Sequence, residues 1–186
     1  MRIIAGKYKG RRLRTVADMS VRPATGRVKG SIFNILQNRV HWGEAEVLDL
    51  FAGSGSLGLE ALSRGAVRAV FVEDAKRPLA HLRENIASMG AESESEVVAG
   101  DAFDYLLRPR AKFEVVFADP PYELEMLRRL PTLIFQSGVV APGGYLIIEH
   151  PQRLTFEPST LWEAVVEREY GRTVVTFFQA QHEVRQ

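Results

Sequence analysis

Several residue types and patterns are missing from this sequence, and each absence narrows the range of possible functions. The 186 residues include no cysteine, which excludes disulfide bonds and thiolate metal sites. The four histidines are far apart and match no zinc-ligand spacing, so we expect no metal centre. No apolar run is long enough to span a membrane, and the N-terminus lacks the apolar core of a signal peptide. We therefore expect a cytoplasmic protein that does not enter a membrane.

The charges are unevenly distributed along a chain whose composition is otherwise ordinary. Hydrophobic residues make up 46% and charged residues 25%, as in globular domains, and the length suits one domain with a small appendage. Residues 1–30 carry nine cations and one anion, a balance of +8, whereas the remaining 15 cations and 22 anions give −7. A basic segment on an acidic body is typical of an enzyme that binds a polyanion. A merely solvated pair of strands is the alternative.

The basic segment predicts an RNA-binding extension. Lys7-Tyr8-Lys9-Gly10-Arg11-Arg12 mixes an aromatic residue with cations and glycine, which favours nucleic acid. Apolar residues near both ends of residues 2–15, with glycines between them, predict a short hairpin. We therefore divide the chain into a basic N-terminal extension, residues 1–24, and a main domain, residues 25–186. The candidate RNA-binding residues are Lys7, Lys9, Arg11, Arg12, Arg22 and Arg27.

From residue 45 onward, strand and helix patterns alternate. Strands are predicted at 46–50, 68–73, 96–99, 113–118 and 144–149, and helices at 25–38, 57–64, 76–89, 102–107 and 123–136, the last kinked or divided by Pro131. Residues 164–169 and 173–180 predict a closing hairpin around Gly171. Such alternation indicates an α/β fold, with a parallel sheet covered by helices on both faces.

Four acidic residues lie at or just after predicted strand ends: Asp49, Glu73, Asp101 and Asp119. In an open α/β sheet, ligands bind beyond the carboxyl ends of the strands, where the strand order reverses. We therefore expect these four carboxylates to meet on one rim.

The loop after the first of these strands reads DLFAGSGSLG from Asp49 to Gly58. Its glycines match the G-x-G-x-x-G fingerprint of dinucleotide-binding proteins, and Glu73 follows Gly53 by 20 residues, as a ribose-binding acid would. A nicotinamide-dependent dehydrogenase is therefore one interpretation. Asp49 favours S-adenosylmethionine instead, because an anion at this position can bind the cationic methionine end of that cofactor. The same anion would not help to bind a pyrophosphate.

We assign nine residues to the binding of S-adenosylmethionine. They are Asp49, Phe51, Ala52, Gly53, Ser54, Gly55, Glu73, Asp101 and Ala102. Glu73 is suited to binding the ribose diol of this cofactor. Asp101 and Ala102 are placed to bind its adenine amine. Alternatively, Asp101 caps the helix that begins near residue 102.

Asp119-Pro120-Pro121-Tyr122 follows the apolar run 113–118 and looks like the amine-recognition motif of methyltransferases that modify nucleobases. The lone pair of an aromatic amine is delocalised into the ring, so the nitrogen needs hydrogen-bond acceptors that draw it toward tetrahedral geometry. Asp119 and the Pro120 carbonyl are such acceptors, the two prolines hold them rigidly, and Tyr122 offers a face for a flipped base. We take these four residues as the catalytic set; a strand that ends in a proline-rich turn is the alternative.

Several blocks along the chain form a combination that is more specific than any one of them. They are Arg2-Ile3-Ile4-Ala5-Gly6 with Gly10-Arg11-Arg12-Leu13, Arg22-Pro23 with Thr25 and Arg27-Val28-Lys29, Ile32-Phe33-Asn34-Ile35-Leu36, Asp49-Leu50-Phe51-Ala52-Gly53-Ser54-Gly55, and Leu57-Gly58-Leu59-Glu60-Ala61-Leu62-Ser63-Arg64-Gly65-Ala66. Together they resemble the bacterial RsmD family over essentially the whole chain.

The resemblance implies an S-adenosylmethionine-dependent enzyme that methylates the N2 amine of a guanine in 16S ribosomal RNA, on an assembled or partly assembled small subunit. It also implies a Rossmann-like class I methyltransferase fold: a seven-stranded, mostly parallel sheet with helices on both faces and an N-terminal β-hairpin extension that helps to hold RNA. We expect a monomer without a metal.

Two positions depart from the family, because Gly26 and Gly30 stand where it usually has acids. Neither lies in the cofactor loop or in the Asp-Pro-Pro-Tyr motif. Two other functions stay open from the residues alone: an adenine-N6 methyltransferase acting on DNA or RNA, and a non-catalytic RNA-binding assembly factor.

Overall fold

The computed structural model describes residues 1–15, 26–108 and 111–181. Arg22, a candidate RNA-binding residue, and Thr25, the first residue of the predicted helix 25–38, lie outside these ranges. The helices are α1 (Gly26–Leu36), α2 (Ser56–Ser63), α3 (Lys76–Met89), α4 (Ala102–Leu107) and α5 (Leu130–Ser137). The strands are β1 (Glu46–Leu50), β2 (Arg68–Glu73), β3 (Ser95–Ala99), β4 (Phe113–Ala118), β5 (Val140–Pro151), β6 (Trp162–Tyr170) and β7 (Thr173–Ala180). None of the helices in the described ranges has the length and apolarity of a membrane span.

The seven strands form one sheet in the order β3-β2-β1-β4-β5-β7-β6. The first five are parallel, whereas β7 runs antiparallel to both β5 and β6. The strand order reverses between β1 and β4, which is where an open sheet of this kind forms its ligand crevice. The predicted Rossmann-like, seven-stranded, mostly parallel sheet is confirmed.

Each face of the sheet is covered by its own helices. Alternate strand residues point to opposite faces, so that Val47, Phe71 and Phe117 pack with α1, α2 and α3. Their strand neighbours pack with α4 and α5 on the other face. We call the first of these the α2 face. The two apolar cores, one on each face, explain why the central strands are apolar on both sides.

The prediction of a helix over 123–136 was wrong in its first half. Residues 127–129 form a short 3-10 turn, and α5 begins only at Leu130. Pro131 therefore stands in the first turn of the helix, where its missing N–H is not needed and its fixed φ is already helical. The proline starts this helix rather than kinking it.

The short hairpin predicted in residues 1–15 forms between residues 1–3 and 10–13, where Arg2 bridges Arg12 in antiparallel fashion. Ile3 N donates to the Arg11 carbonyl at 3.0 Å, and Gly10 N donates to the Ile3 carbonyl at 2.9 Å. Between these two paired stretches, several backbone donors bind α2 instead. Ile4 N and Ala5 N donate to the Glu60 carboxylate at 2.8 and 3.0 Å, and Lys7 N donates to the Ser63 carbonyl at 2.7 Å. Because these amides bind α2, they do not form a ladder with a second strand.

Candidate active site

Three of the four predicted rim carboxylates meet at the carboxyl edge of the sheet. Asp49 is paired in register with Phe71 of β2 and Phe117 of β4. Glu73 and Asp119 lie two residues beyond these partners, so their side chains emerge on the α2 face together with that of Asp49. Asp119 and Glu73 both raise the pKa of Asp49, as expected for carboxylates in close proximity.

Asp49 is a buried acceptor beneath the start of α2. Its side chain is 2% exposed, and Oδ2 accepts the Gly58 N–H at 2.9 Å. Burial raises the pKa of Asp49 well above its ordinary value, the Gly58 hydrogen bond opposes this, and the neighbouring carboxylates add to it. A cation bound here would stabilise the ionised form, which suits the cationic methionine end of S-adenosylmethionine.

The loop between β1 and α2 has an unusual backbone. Phe51 adopts a φ of 57° and is the only residue other than glycine with a positive φ in the described ranges. Such a conformation is costly for a bulky side chain and is concentrated at functional sites. Gly53 also has a φ of 57°, and a Cβ placed there would meet no atom within 4 Å. The loop therefore leaves open space beside Gly53, as a cradle for a cofactor requires.

Two further glycines in this loop are needed for packing. A Cβ at Gly55 would lie 2.5 Å from Cδ1 of Leu82, and one at Gly58 would lie 2.3 Å from Cε1 of Phe71. Both contacts are closer than carbon atoms tolerate, so α2 and its preceding turn can sit this near to β2 and α3 only without side chains.

Glu73 braces the cofactor loop. Its Oε2 accepts the Gly53 N–H at 2.6 Å and its Oε1 accepts the Ala75 N–H at 2.8 Å. Burial raises the pKa of Glu73, while these two hydrogen bonds oppose the rise and the charge of Asp74 adds to it. Each carboxylate oxygen has a second lone pair, so Glu73 can still accept from a ribose diol.

Asp101 caps α4, which is the alternative that the sequence left open. Its Oδ1 accepts from Phe103 N at 2.7 Å and from Asp104 N at 3.0 Å. The adenine contact of Asp101 and the buried Ala102 stays a prediction. No sequence pattern pointed to Phe103, whose ring packs edge-on against Phe51 with centroids 6.2 Å apart. This pair joins the loop after β1 to the first turn of α4.

The Asp-Pro-Pro-Tyr motif continues β4 at the same rim. Asp119 is half-buried, Pro120 is buried, and Pro121 and Tyr122 are exposed. Burial raises the pKa of Asp119 to about 7. The Tyr122 hydroxyl is 2.9 Å from the Thr173 hydroxyl, which fixes one end of a ring that is 37% exposed. Thr173 was not predicted, because only the pairing of β7 with β5 brings it to this edge.

Comparison with known proteins agrees with this geometry. The family described as conserved hypothetical protein 95 matches residues 1–179. The chain belongs to this family, which is the RsmD family predicted from the sequence. It is 37% identical to the putative rRNA methyltransferase YlbH of Bacillus subtilis, over 96% of this chain and 98% of the relative. It is 33% identical to ribosomal RNA small subunit methyltransferase D of Haemophilus influenzae, over 96% and 93% respectively.

Solved structures agree as well. The putative methyltransferase yhhF from Escherichia coli superposes with a TM-score of 0.85 at 32% identity, covering 98% of this chain and 99% of that one. A putative methyltransferase complexed with SAH shares the fold at a TM-score of 0.66 and 15% identity, covering 86% of this chain and 50% of that one. The fold of this RsmD-family chain is that of S-adenosylmethionine-dependent methyltransferases, and the predicted class of enzyme and cofactor is confirmed.

The N-terminal basic residues of this RsmD-family chain do not all lie near the rim. Lys7 donates to the Glu94 carboxylate at 2.6 Å, and Glu94 immediately precedes β3. Since β3 and β4 run in the same direction, Lys7 lies at the amino end of the sheet and Asp119 at the carboxyl end. Arg11 donates to the Ser88 carbonyl, near the end of α3. Both of these cations contact the body of the protein.

Arg27 lies at the other end. It is exposed in the first turn of α1, and Lys29 in the same turn donates to the Ser56 hydroxyl at 3.1 Å. Ser56 is the first residue of α2, directly after the cofactor loop. Arg27 is therefore on the rim side of the molecule. Lys9 and Arg12 are exposed on the N-terminal segment, close in sequence to Lys7 and Arg11.

Proposed function

We propose that this protein transfers a methyl group from S-adenosylmethionine to the exocyclic N2 amine of a guanine in 16S ribosomal RNA, within the small subunit or its assembly intermediate. The observation that carries the proposal is the adjacency of Asp119, at the end of β4, to Asp49 and the cofactor loop, at the end of β1. Relatives named as ribosomal RNA small subunit methyltransferases support an rRNA substrate and hence a cytoplasmic location. The choice of N2 of guanine rests on the RsmD resemblance.

The site residues are suited to holding a planar amine in a reactive geometry. Asp119 accepts one N–H of the amine and the Pro120 carbonyl accepts the other, while the prolines restrict the backbone that carries both acceptors. Tyr122, held at its hydroxyl by Thr173, stacks on the base. Asp49 lies beside Asp119 and binds the cationic end of the cofactor.

Catalysis then consists mainly of positioning and of electrostatic stabilisation. Bound S-adenosylmethionine supplies an electrophilic methyl group on a sulfonium centre. As the nitrogen gains positive charge, the ionised Asp119 stabilises it. A carboxylate with a pKa of about 7 also has the proton affinity to accept the proton that the nitrogen loses.

The RNA contact is assigned by exposure and position. Arg27 on the rim side, with Lys9 and Arg12 on the N-terminal segment, offers exposed cations to phosphates. Lys7 and Arg11 belong to the same predicted set but are engaged with Glu94 and Ser88. Arg22 completes the set and lies outside the described residues.

The test is incubation of the protein with labelled S-adenosylmethionine and undermethylated small-subunit particles, followed by nucleoside analysis of the RNA. We expect N2-methylguanosine. Asp119→Asn should abolish transfer and leave the calorimetric affinity for S-adenosylmethionine largely unchanged. Methylated adenine would assign the protein to the N6 class, and cofactor binding without transfer to particles or free RNA would favour an assembly factor. Normal turnover by Asp119→Asn would overturn the mechanism.

A further inference from the structure

Glu149 is a buried carboxylate beside Asp119 that the proposed mechanism does not use. The β4–β5 register pairs Ala118 with Ile148, so Asp119 and Glu149 come next in line on neighbouring strands. Paired residues of parallel strands point to the same face, and this is the face of Asp49. Glu149 is only 5% exposed.

One oxygen of Glu149 lacks a partner. Its Oε2 is shielded from solvent and has no hydrogen-bond partner among residues 1–15, 26–108 and 111–181. An ionised carboxylate oxygen in that position costs free energy, because burial removes its hydration and nothing replaces it. A proton on Glu149 would remove the charge and convert this oxygen into a donor for the nearest acceptor.

The charge that acts on Glu149 is that of a neighbouring acid, Asp119. Asp119 comes beside Glu149 at the end of β4. Asp49 on β1 pairs with Phe117, two residues before Asp119, and Glu73 ends β2 on the same face. On β7 the partner of Glu149 in register is Val175. The chain neighbour of Glu149, His150, points to the opposite face, where Nε2 lies 2.8 Å from the Thr176 hydroxyl.

The electrostatics follow from this arrangement. Burial raises the pKa of Glu149 to about 8, and the charge of Asp119 adds to the rise. Burial raises the pKa of Asp119 to about 7. Two adjacent carboxylates in such surroundings do not both ionise readily, and their titrations belong to the pair.

We propose that Asp119 and Glu149 share one proton, and that Glu149 is a positioning residue that sets the pH at which Asp119 is ionised and ready to accept the N–H of the substrate amine. The second part rests on the function proposed above. The shared proton bridges the two carboxylates in the free protein. As the pH rises, this proton is released to solvent, and Asp119 can then face the amine as a full anion.

The first test needs no RNA. The carboxyl carbons of Asp and Glu are followed by ¹³C NMR from pH 4 to 9 in the wild type, Glu149→Gln and Asp119→Asn. We expect two coupled steps in the neutral range for the wild type. The Asp119 midpoint should fall by about one pH unit or more in Glu149→Gln, and the Glu149 midpoint should fall in Asp119→Asn. Ordinary titration of both groups near pH 4, or unchanged midpoints in the variants, would overturn the shared proton.

The second test follows methyl transfer in a single turnover against pH. In Glu149→Gln the acid limb should move to lower pH, because the nearby negative charge that holds a proton on Asp119 is gone, and cofactor affinity at pH 8 should not change. Glu163→Gln, which neutralises an exposed acid on β6, is the matched control and should keep the wild-type profile. An unmoved acid limb in Glu149→Gln would overturn the positioning role even if the wild type methylates guanine. If the wild type methylates nothing, the proposed function and with it this role are overturned, while the NMR titration still decides the shared proton.

Discussion

Lys29 and Glu60 form an ion pair in which neither side chain is exposed to solvent, with Nζ and Oε2 3.3 Å apart. The pair holds the N-terminal segment against two helices. Lys29 of α1 donates to the Arg2 carbonyl at 2.7 Å, and Glu60 of α2 accepts from the backbone of Ile4 and Ala5. Burial lowers the pKa of Lys29, whereas the charge of Glu60 acts in the opposite direction. Residues 1–15 are thus part of the folded body through a buried charge.

Glu60→Gln should therefore be strongly destabilising. Removing one partner leaves the Lys29 ammonium buried without its counterion, which typically costs about 3–5 kcal/mol. Urea unfolding measures this loss, and limited proteolysis should show cleavage within residues 1–15. Glu157→Gln is the control, because Arg129 and Glu157 form an exposed pair for which about 1 kcal/mol or less is expected. Equal losses in the two variants would contradict the argument.

Two glycine substitutions in helices should act in opposite directions. Gly58→Ala places a Cβ against the buried ring of Phe71. We therefore expect the free energy of unfolding to fall by about 1–3 kcal/mol and cofactor binding to weaken. Gly30→Ala in α1 meets its nearest atom, Cδ1 of Ile4, at an ordinary 3.7 Å. Gly30→Ala should raise the free energy of unfolding by about 0.5–1 kcal/mol, because alanine loses less backbone entropy than glycine when the helix forms. Thermal unfolding and calorimetry with S-adenosylmethionine check both, and a stabilised Gly58→Ala would show that β2 and α2 separate easily.

The position of the cations predicts unequal effects on RNA binding. Arg27→Ala should weaken binding across RNA sequences and reduce the slope of log affinity against log salt by about one, as expected for one lost phosphate contact. Lys7→Ala should leave that slope unchanged, since Lys7 is paired with Glu94 at the amino end of the sheet. Filter binding to small-subunit RNA at several salt concentrations measures both slopes. If Lys7→Ala has the larger effect, the RNA surface lies at the opposite end.

The raised carboxyl pKa values predict how stability changes with pH. Folding raises the pKa of Glu149 from about 4 in an unfolded chain to about 8, so the folded state holds this proton more tightly. Its contribution to stability is fully present below about pH 4 and is lost progressively as the pH rises from there through 8. Denaturant unfolding at pH 6 and 8.5 should show that the free energy of unfolding falls more between these pH values in the wild type than in Glu149→Gln. A Glu149→Gln protein with the same loss would show that Glu149 is already ionised at pH 6.

The elements of the α/β core were predictable because each depends on local patterns. Apolar runs of five or six residues specify the central strands, and α3 and α4 were predicted with their observed bounds. The start of α5 was missed, because Pro131 was taken to interrupt a helix that it begins. The hairpin in residues 1–15 was predicted, but its docking on α2 through the amides of Ile4 and Ala5 was not, because no local pattern reveals it.

The sequence by itself determined the class of chemistry: an acid before a glycine-rich turn, a second acid in an Asp-Pro-Pro-Tyr motif, and the fold that brings strand ends to one rim. These features lie in short stretches, where residue type and spacing dictate conformation. Only the tertiary structure decided which groups surround Asp119. Glu149 reaches Asp119 through the pairing of β4 with β5, and Thr173 reaches Tyr122 through the pairing of β5 with β7. Lys7 lies at the opposite end of the sheet because its segment docks on α2. Such contacts depend on strand register and long-range packing between segments distant in the chain.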